Sequence, residues 1–307
     1  MVPGQTRVRT LYSGISAGTE LLAYRGQLDP ALPLDESLGA LQGTFEYPFC
    51  YGYSCVGRVE ESDELPEGTL VFAFHPHQDR FVAPTSDLIP LGEVDPRQAT
   101  LFPLVETTLQ VALDAGAVQE EPVLVLGLGV VGMLTSVLLS RAGARVTAAE
   151  PRGWRRALAA SIGIEAVEPG ELGDVVKRET GGDGVSLVVE ASGSADALGP
   201  ALDLLRHEGH ALVASWYGTK DVTLPLGGAF HRRRLTIRST QVSTIPSHLS
   251  SRWTLERRRA VVQGLLTELP LQALATHTFA FRDAPAAFEA IDRGDEGIVH
   301  VALSYEE

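Results

Sequence analysis

The stretch VLVLGLGVVGMLTSVLLSRAGARVTAAE, residues 123–150, is the most informative part of this sequence. The apolar run VLVL leads into a turn in which Gly127, Gly129 and Gly132 form the pattern G-x-G-x-x-G. A helical stretch follows, and a second apolar run then ends at Glu150. Strand, glycine turn, helix and strand in this order predict a βαβ unit of a parallel sheet.

The glycine turn also predicts a dinucleotide site. Its three glycines are expected to turn the chain tightly, to admit a pyrophosphate and to let the helix approach the strand. Val130 and Val131 open the helix, whose free N–H groups and positive dipole end attract phosphate. Glu150 stands where an acid accepts hydrogen bonds from the hydroxyls of the adenosine ribose. A tight turn without a ligand is the alternative, and the flanking strands and helix favour the site.

The choice between NAD(H) and NADP(H) depends on the residues at the end of the second strand. Glu150 should repel a 2′-phosphate, which favours NAD(H). Arg152, Arg155 and Arg156 follow closely and are able to neutralise such a phosphate, so NADP(H) stays possible. We therefore expect NAD(H), with Arg152 and Arg155 close to the cofactor.

The chain before and after this stretch has two different patterns. Residues 5–100 hold short apolar runs broken by Gly and Pro, which predict a small, barrel-like β domain: TRVRTLYS, CVGRVEE, TLVFAF and RFVAPT. From about residue 118, six strands alternate with helical stretches, as in a doubly wound parallel sheet: VLVLG, RVTAAE, VSLVVEA, HALVAS, a weak strand near 166–167 and LTIRS. A helix, a strand, a helix and a last strand follow Pro246. We expect an α/β chain with domains at 1–105 and 106–245 and a return segment at 246–307.

Composition and charge exclude several classes of protein. The 307 residues suit two domains, and the net charge of −14 argues against nucleic acid, because phosphate binding needs a basic surface. The first residues carry no secretory pattern, and Cys50 and Cys55 as the only cysteines fit a reducing cytoplasm. The apolar stretch 122–140 is as long as a membrane span, but its glycines fit a buried strand and helix better. We expect a soluble cytoplasmic protein with a small-molecule substrate.

Three further stretches carry a resemblance to a known family: SGISAGTELLAYRG (13–26), FEYPFCYGYSCVGRV (45–59) and SWYGTKDVTLPLGGAFHRRRLTIRSTQVS (215–243). With the order of a β-rich piece, a nucleotide-binding fold and a return segment, they resemble the medium-chain dehydrogenase/reductase superfamily. Within it they look closest to the branch that contains bacteriochlorophyllide dehydrogenase. The resemblance implies a GroES-like catalytic domain completed by the return segment, a Rossmann domain, an active site in the cleft between them, and a homodimer.

The sequence departs from the superfamily pattern where catalytic zinc is bound. Zinc-dependent members have C-G-I-C-G-S-D where this chain has Ser13 to Glu20, and G-H-E where it has Gly52-Tyr53-Ser54. The later cysteine or acid ligand aligns near Pro103. Serine, tyrosine and proline cannot replace thiolate and imidazole around a tetrahedral zinc. We expect no catalytic zinc and no metal site.

Two histidines and two cysteines remain as candidates for another metal site. His75 and His77 are two residues apart, and Cys50 and Cys55 lie in the same predicted domain. Their spacing matches no standard zinc pattern. We therefore interpret the two histidines as residues of a strand end and the two cysteines as buried thiols.

Without zinc, hydride transfer needs hydrogen-bond donors at the substrate oxygen and a source of protons. The resemblance places Tyr53 at the position of a lost histidine ligand and Thr19 at a proton-relay hydroxyl, with Glu20 beside it. These three are the predicted catalytic residues. The histidine that completes such a relay is replaced by Leu22. Tyr53 as a core aromatic and Glu20 as a structural ion pair or helix cap are the alternatives.

Three more residues are predicted to bind the cofactor. Trp216 and Tyr217 follow the carboxyl end of a parallel strand, where open α/β sheets bind ligands, although aromatic packing also explains them. His300, in GIVHVAL, stands where relatives carry a basic residue that reaches the pyrophosphate. A neutral histidine there would still donate one hydrogen bond.

Three functions are compatible with these residues. The first is a zinc-independent NAD(P)-dependent oxidoreductase acting on an alcohol/carbonyl pair. The second is a quinone or enoyl reductase that reduces an activated C=C bond, since conjugation moves the developing charge to a remote oxygen. The third is a non-catalytic nucleotide-binding protein. The missing metal ligands favour it, and the intact glycine turn and Glu150 argue against it.

Overall fold

The structure is a computed structural model that describes residues 2–305. It divides into two compact units: unit 1 is Met1–Val105 with Glu256–Glu307, and unit 2 is Glu106–Leu255. The units divide at residues 105/106 and 255/256, and the sequence analysis expects domain boundaries at 105/106 and 245/246. Residues 246–254 contain no strand or helix, so unit 1 resumes only where the next helix begins.

The strands are numbered in chain order. They are β1 (Gln5–Ile15), β2 (Cys55–Ser62), β3 (Leu70–Ala73), β4 (Arg80–Pro84), β5 (Leu88–Pro90), β6 (Pro122–Leu126), β7 (Arg145–Ala149), β8 (Glu165–Val167), β9 (Val185–Glu190), β10 (Leu205–Val213), β11 (Thr236–Ser239), β12 (His277–Ala280) and β13 (Val301–Ser304). Each run that the sequence analysis assigned to a strand overlaps one of these thirteen.

The α-helices are numbered in the same way. They are α1 (Ala17–Tyr24), α2 (Pro96–Ala99), α3 (Phe102–Ala115), α4 (Val130–Arg141), α5 (Gly153–Ser161), α6 (Leu172–Thr180), α7 (Leu198–Ala201), α8 (Leu255–Glu268), α9 (Leu271–Leu274) and α10 (Ala284–Arg293). Helix α10 shows why such a segment is helical: a proline lies in its first turn, its buried side has Ala287 and Ala290, and Gly294 with φ of +69° ends it.

Unit 1 is built on a seven-stranded sheet with the order β12-β13-β1-β2-β3-β5, in which β4 also pairs with β1. The long strand β1 is antiparallel to β2, β4 and β13. Two register shifts between β1 and β2 bend this pair. Apolar residues of β1 to β4 form one core, which includes Val8, Val59, Val71 and Phe81. The end of β1 leads directly into α1, which carries Thr19 and Glu20, while Tyr53 lies just before β2.

Unit 2 is a six-stranded parallel sheet with the order β11-β10-β9-β6-β7-β8. Strand β6 lies between β7 and β9, so the strand order reverses there, as in a doubly wound fold. All residues of β9 are buried, as expected for a strand covered on both faces. The carboxyl ends of β6, β7 and β9 therefore meet at one edge of the sheet. The predicted α/β fold class is confirmed.

The apolar stretch 122–140 is divided into β6 and α4 by the glycine turn. Across residues 2–305, each helix is either too short or too polar to cross a lipid bilayer.

Candidate functional site

The glycine turn of unit 2 has two positions at which any side chain would collide with the backbone. Gly127 has φ of +86°, and a Cβ there would lie 2.5 Å from Cα of Ser192. A Cβ at Gly132 would lie 1.9 Å from the carbonyl oxygen of Gly127. The turn and its contact with α4 therefore require glycine at both positions, as the pattern predicts.

Gly129 is different, because a Cβ there would meet no atom within 4 Å. Its φ of −75° is open to any residue, so the fold of unit 2 does not require glycine at this position. Gly129 is the N-cap of α4, and no side chain caps the helix there. The first N–H groups of a helix have no partner within the helix and attract phosphate. Open space beside Gly129 fits the pyrophosphate of a dinucleotide.

Glu150 follows β7 and is 3% exposed. Its Oε2 accepts a hydrogen bond from the backbone N–H of Leu128 at 2.9 Å, and its Oε1 accepts one from that of Arg152 at 3.0 Å. The predicted ribose-binding acid thus also connects the glycine turn to the loop after β7. Each carboxylate oxygen can accept more than one hydrogen bond, so these contacts leave capacity for ribose hydroxyls.

The arginines after Glu150 have different surroundings. Arg155 is half-buried, with Nη1 4.0 Å from Oε2 of Glu150 and its guanidinium 5.1 Å from the centre of the Trp154 ring. Burial lowers the pKa of Arg155, and the charge of Glu150 opposes that effect. Arg156 donates to the carbonyl oxygen of Glu150 at 2.7 Å, while Arg152 is exposed. Arg155 is therefore the cation next to the predicted ribose site.

Sequence analysis missed Glu190, the last residue of β9, which is fully buried. Its Oε1 accepts hydrogen bonds from the backbone N–H of Ser192 at 2.7 Å and from the hydroxyl of the same residue. Its Oε2 accepts one from the hydroxyl of Tyr217 at 2.8 Å. Since Ser192 lies against Gly127, Glu190 fixes a second loop beside the glycine turn. The available signal was an acid that ends a buried strand, as Glu150 does.

Trp216 and Tyr217 both lie in the loop after β10. The Trp216 side chain is 41% exposed. Burial and the neighbouring charge of Glu190 raise the pKa of Tyr217. The hydroxyl of Tyr217 is held by Glu190, which leaves the ring rather than the oxygen as the part free to line a cofactor. Their roles at a cofactor stay predictions.

Two of the predicted catalytic residues, Thr19 and Tyr53, form a hydroxyl cluster with Ser16 in unit 1. The phenol of Tyr53 donates a hydrogen bond to Oγ of Ser16 at 2.5 Å and lies 3.3 Å from Oγ1 of Thr19. Burial raises the pKa of Tyr53 to about 12, the hydrogen bonds to Ser16 and Thr19 lower it, and the charge of Glu20 raises it. Tyr53 therefore keeps its proton at neutral pH.

Glu20, in α1, is 3% exposed and pairs with a residue that sequence analysis set aside. Its Oε2 lies 2.8 Å from Nε2 of His77, and its Oε1 accepts the backbone N–H of Ser16 at 2.7 Å. The other ring nitrogen of His77, Nδ1, lies 2.7 Å from Oγ of Ser13. The interpretation of His77 as an ordinary residue at a strand end missed this pair. Only its closeness in sequence to His75 signalled it.

The residues at the expected zinc positions do not form a metal site. Ser16 and Tyr53 are hydrogen-bonded to each other, and Pro103 has no side-chain ligand atom. Within residues 2–305, no three His, Cys, Asp or Glu side chains are grouped so that they could hold a metal ion. Serine, tyrosine and proline at these positions supply neither the thiolate nor the imidazole ligands of a catalytic zinc.

The side chain of His300, which was predicted to reach the pyrophosphate, is enclosed within unit 1. The side chain is 3% exposed, and its Nε2 lies 2.9 Å from Oγ1 of Thr100 within unit 1. Burial lowers the pKa of His300 to about 3, with a further lowering by Arg97. A Cβ at Gly14 would lie 3.0 Å from the His300 ring, so the ring is enclosed. The His300 ring is therefore uncharged and enclosed within unit 1, and its contact with a pyrophosphate stays a prediction.

Comparison with known proteins gives matches along the whole chain. Residues 130–255 match a family model described as zinc-binding dehydrogenase. L-threonine 3-dehydrogenase from Pyrococcus horikoshii is 29% identical over 211 residues, which are 67% of this chain. The chain spans only 58% of the length of that relative in this match.

Two solved structures share the fold over nearly the full length. Alcohol dehydrogenase TADH from Thermus sp. ATN1 has a TM-score of 0.77 at 21% identity and covers 100% of this chain and 94% of its own. The quinone oxidoreductase from Thermus thermophilus, solved also as a complex with NADPH, has a TM-score of 0.71 at 27% identity and covers 98% and 92%. The chain is thus similar in sequence to zinc-binding dehydrogenases over residues 130–255 and shares the fold of these two structures.

Proposed function

We propose that the protein is a nicotinamide-dependent oxidoreductase that interconverts an alcohol and a carbonyl compound without catalytic zinc. The observation that carries this proposal is the glycine turn, in which Gly129 is glycine although unit 2 leaves room for a side chain. A ligand that approaches this backbone explains the glycine. The dehydrogenase names of the relatives support the class of reaction.

The cofactor would be held by residues of unit 2. The turn at Gly127 and Gly129 and the first turn of α4, with Val130 and Val131, would bind the pyrophosphate. Glu150 would accept hydrogen bonds from the ribose. When bound, a nicotinamide supplies or accepts the hydride.

We propose NAD(H) as the preferred cofactor, because the buried carboxylate of Glu150 stands at the ribose position. Arg155, next to that carboxylate, and the exposed Arg152 keep NADP(H) as the alternative. The Thermus thermophilus structure with NADPH supports a nicotinamide cofactor and does not decide between the two.

Tyr53 would act as the proton donor in carbonyl reduction. Its pKa near 12 keeps the phenol protonated, and a protonated phenol can donate to an oxygen that gains negative charge. The hydroxyl of Thr19, 3.3 Å away, is able to return a proton to the phenol oxygen. The absence of zinc ligands at these positions, and the resemblance to the bacteriochlorophyllide dehydrogenase branch, support a zinc-independent reaction.

Two measurements test this proposal. NADH and NADPH are titrated against the protein by calorimetry, and a panel of ketones, alcohols and enones is then assayed with each nucleotide. We expect a dissociation constant well below millimolar for at least one nucleotide and turnover of a ketone that chelators do not inhibit. Inhibition by chelators, or stoichiometric zinc in the purified protein, would contradict the zinc-free mechanism. Failure to bind either nucleotide would remove the redox assignment.

Reduction of an activated C=C bond is the second candidate. It is favoured by the 27% identity to the quinone oxidoreductase from Thermus thermophilus, which spans nearly both chains. Turnover of enones or quinones without turnover of ketones would select it. Nucleotide binding without turnover of any class would select a non-catalytic role.

We also propose a cytoplasmic homodimer. Strand β11 lies at the edge of the sheet in unit 2 and its residues are mostly exposed, so another copy could pair with it. Sedimentation of the purified protein checks the dimer.

A further inference from the structure

His77 is held from both sides and is largely buried. Nε2 lies 2.8 Å from Oε2 of Glu20, Nδ1 lies 2.7 Å from Oγ of Ser13, and the side chain is 12% exposed. With both ring nitrogens engaged, the imidazole has no free nitrogen for a substrate. Any effect of His77 on a reaction must therefore be exerted through its partners, Glu20 and Ser13.

Glu20 transmits the position of His77 to the start of α1. While Oε2 meets His77, Oε1 accepts the backbone N–H of Ser16 at 2.7 Å. Ser16 is the N-cap residue of α1, and its side chain makes no capping hydrogen bond. Its hydroxyl is instead the acceptor for the phenol of Tyr53 at 2.5 Å. The carboxylate of Glu20 thus fixes the backbone of the residue that orients Tyr53.

The residues next to Tyr53 show that His77 belongs to the same arrangement. The backbone N–H of His77 donates to the carbonyl oxygen of Tyr51 at 3.1 Å. Gly52 has φ of +98°, and a Cβ there would lie 2.5 Å from Cδ2 of His77. Glycine at position 52 therefore leaves room for the imidazole of His77 directly before Tyr53.

We propose that His77 is a positioning residue for the Tyr53 phenol, acting through Glu20 and the backbone of Ser16. The inference rests on the proposed function, because Tyr53 is the proposed proton donor. A buried pair that only stabilises unit 1 is the competing explanation. The two explanations differ in one respect: only in the first does the effect of a His77 substitution on kcat depend on Tyr53.

Two variants of His77 separate its two hydrogen bonds. The amide of His77→Gln can replace Nε2 and still donate to Glu20, whereas the shorter amide of His77→Asn reaches the Nδ1 position and Ser13 only. We expect His77→Asn to lower kcat about 10- to 100-fold, since small misplacements of a reacting group cost that much. His77→Gln should retain kcat to within about threefold, and the cofactor Kd should not change in either variant.

A double-mutant cycle with Tyr53→Phe gives the decisive readout. If His77 acts through the phenol, His77→Asn should change kcat less than about twofold when Tyr53 is already Phe. His75→Asn is the matched control, since His75 stacks on Phe81 at 4.1 Å and bonds Gln78 rather than Glu20. Equal losses in the Asn and Gln variants, or an undiminished loss in the Tyr53→Phe background, would overturn the proposal.

Amide hydrogen exchange of the peptide spanning residues 13–20 needs no turnover. Faster exchange at Ser16 in His77→Asn, with wild-type exchange in His77→Gln, supports the positioning contact even if no substrate is turned over. If the exchange changes in this way and no substrate is turned over, the proposed function fails, but the contact between His77, Glu20 and Ser16 is still supported. Unchanged exchange in His77→Asn would overturn the inference whatever the activity.

Discussion

The glycine turn of unit 2 and the hydroxyl cluster of unit 1 are fixed by the same device. In each, a buried carboxylate accepts a backbone N–H at a turn that leads into a helix: Glu150 takes that of Leu128, and Glu20 takes that of Ser16. Both carboxylates are 3% exposed, so each turn is fixed by a strong, water-excluded hydrogen bond.

The two regions differ in how far apart their parts lie in the sequence. The turn of unit 2 and Glu150 come from one βαβ unit of fewer than 30 residues, within which Gly132 is required by its contact with the carbonyl of Gly127. Around the hydroxyl cluster of unit 1, His77 from beyond β3 contacts Glu20 of α1, and Tyr305 lies 3.0 Å from Ser13. In the proposed function, the first region binds the cofactor by its backbone, while the second acts through side chains that the fold brings together.

The largest expected effect tests the side-chain region. Tyr53→Phe removes the phenolic proton and should lower kcat for carbonyl reduction about 100-fold or more, the usual contribution of a general acid. The cofactor Kd should stay at the wild-type value, because the substitution leaves unit 2 unchanged. Steady-state kinetics and calorimetry measure the two quantities. A variant with wild-type kcat would mean that Tyr53 is only a core aromatic.

The backbone region is tested by a pair of glycine variants. Gly132→Ala forces a methyl group against the carbonyl of Gly127 and should lower the free energy of unfolding by about 1–3 kcal/mol or more. Gly129→Ala adds the same methyl in open space and should leave stability within about 1 kcal/mol, while the Kd of NADH rises about tenfold. Thermal unfolding and calorimetry of both proteins check this. Unchanged NADH affinity in Gly129→Ala would show that no pyrophosphate approaches the turn.

Much of the fold, including the glycine turn, could be predicted from the sequence. The alternation of apolar runs predicted the six parallel strands, and the contact of Gly132 with the carbonyl of Gly127 lies within one motif. His77 and Glu190 could not be found in this way. Their partners are selected by tertiary packing, since His77 meets a residue 57 positions away and Glu190 holds a tyrosine 27 positions further on.

The burial of His300 shows a different limit of sequence reasoning. A position that carries a basic residue in relatives predicted a hydrogen-bond donor to the pyrophosphate, and the structure encloses the ring between Gly14 and Thr100. Residue type and alignment do not report burial, and burial determines whether an imidazole is charged.

The raised pKa of Tyr53 predicts a stability difference at high pH. The phenol ionises at about 10 in the unfolded chain and at about 12 in the folded protein, so the folded state holds the proton more tightly. Stability should therefore fall as the pH rises between these two values, and at a pH of about 11 the wild type should have lost about 1 kcal/mol more than Tyr53→Phe. Denaturant unfolding of both proteins on either side of the lower value measures the difference, which would vanish if the phenol were exposed to water.

The smallest expected effect compares the acids of the two units directly. Glu190→Gln keeps the size of the side chain but replaces charged hydrogen bonds to Ser192 and Tyr217 by neutral ones, a loss of about 1 kcal/mol. Because Ser192 lies against Gly127, we expect the Kd of NADH to rise about fivefold.

Glu20→Gln is the matched control for this variant, since it removes a buried charge of the same kind from unit 1. It should lower kcat through Ser16 and leave the Kd of NADH unchanged. If both variants changed Kd equally, the loss would reflect general destabilisation, and the separation between a backbone-built nucleotide site and a side-chain-built proton site would not hold. If only Glu190→Gln changes Kd, the acid that ends β9 belongs to the nucleotide site together with Glu150.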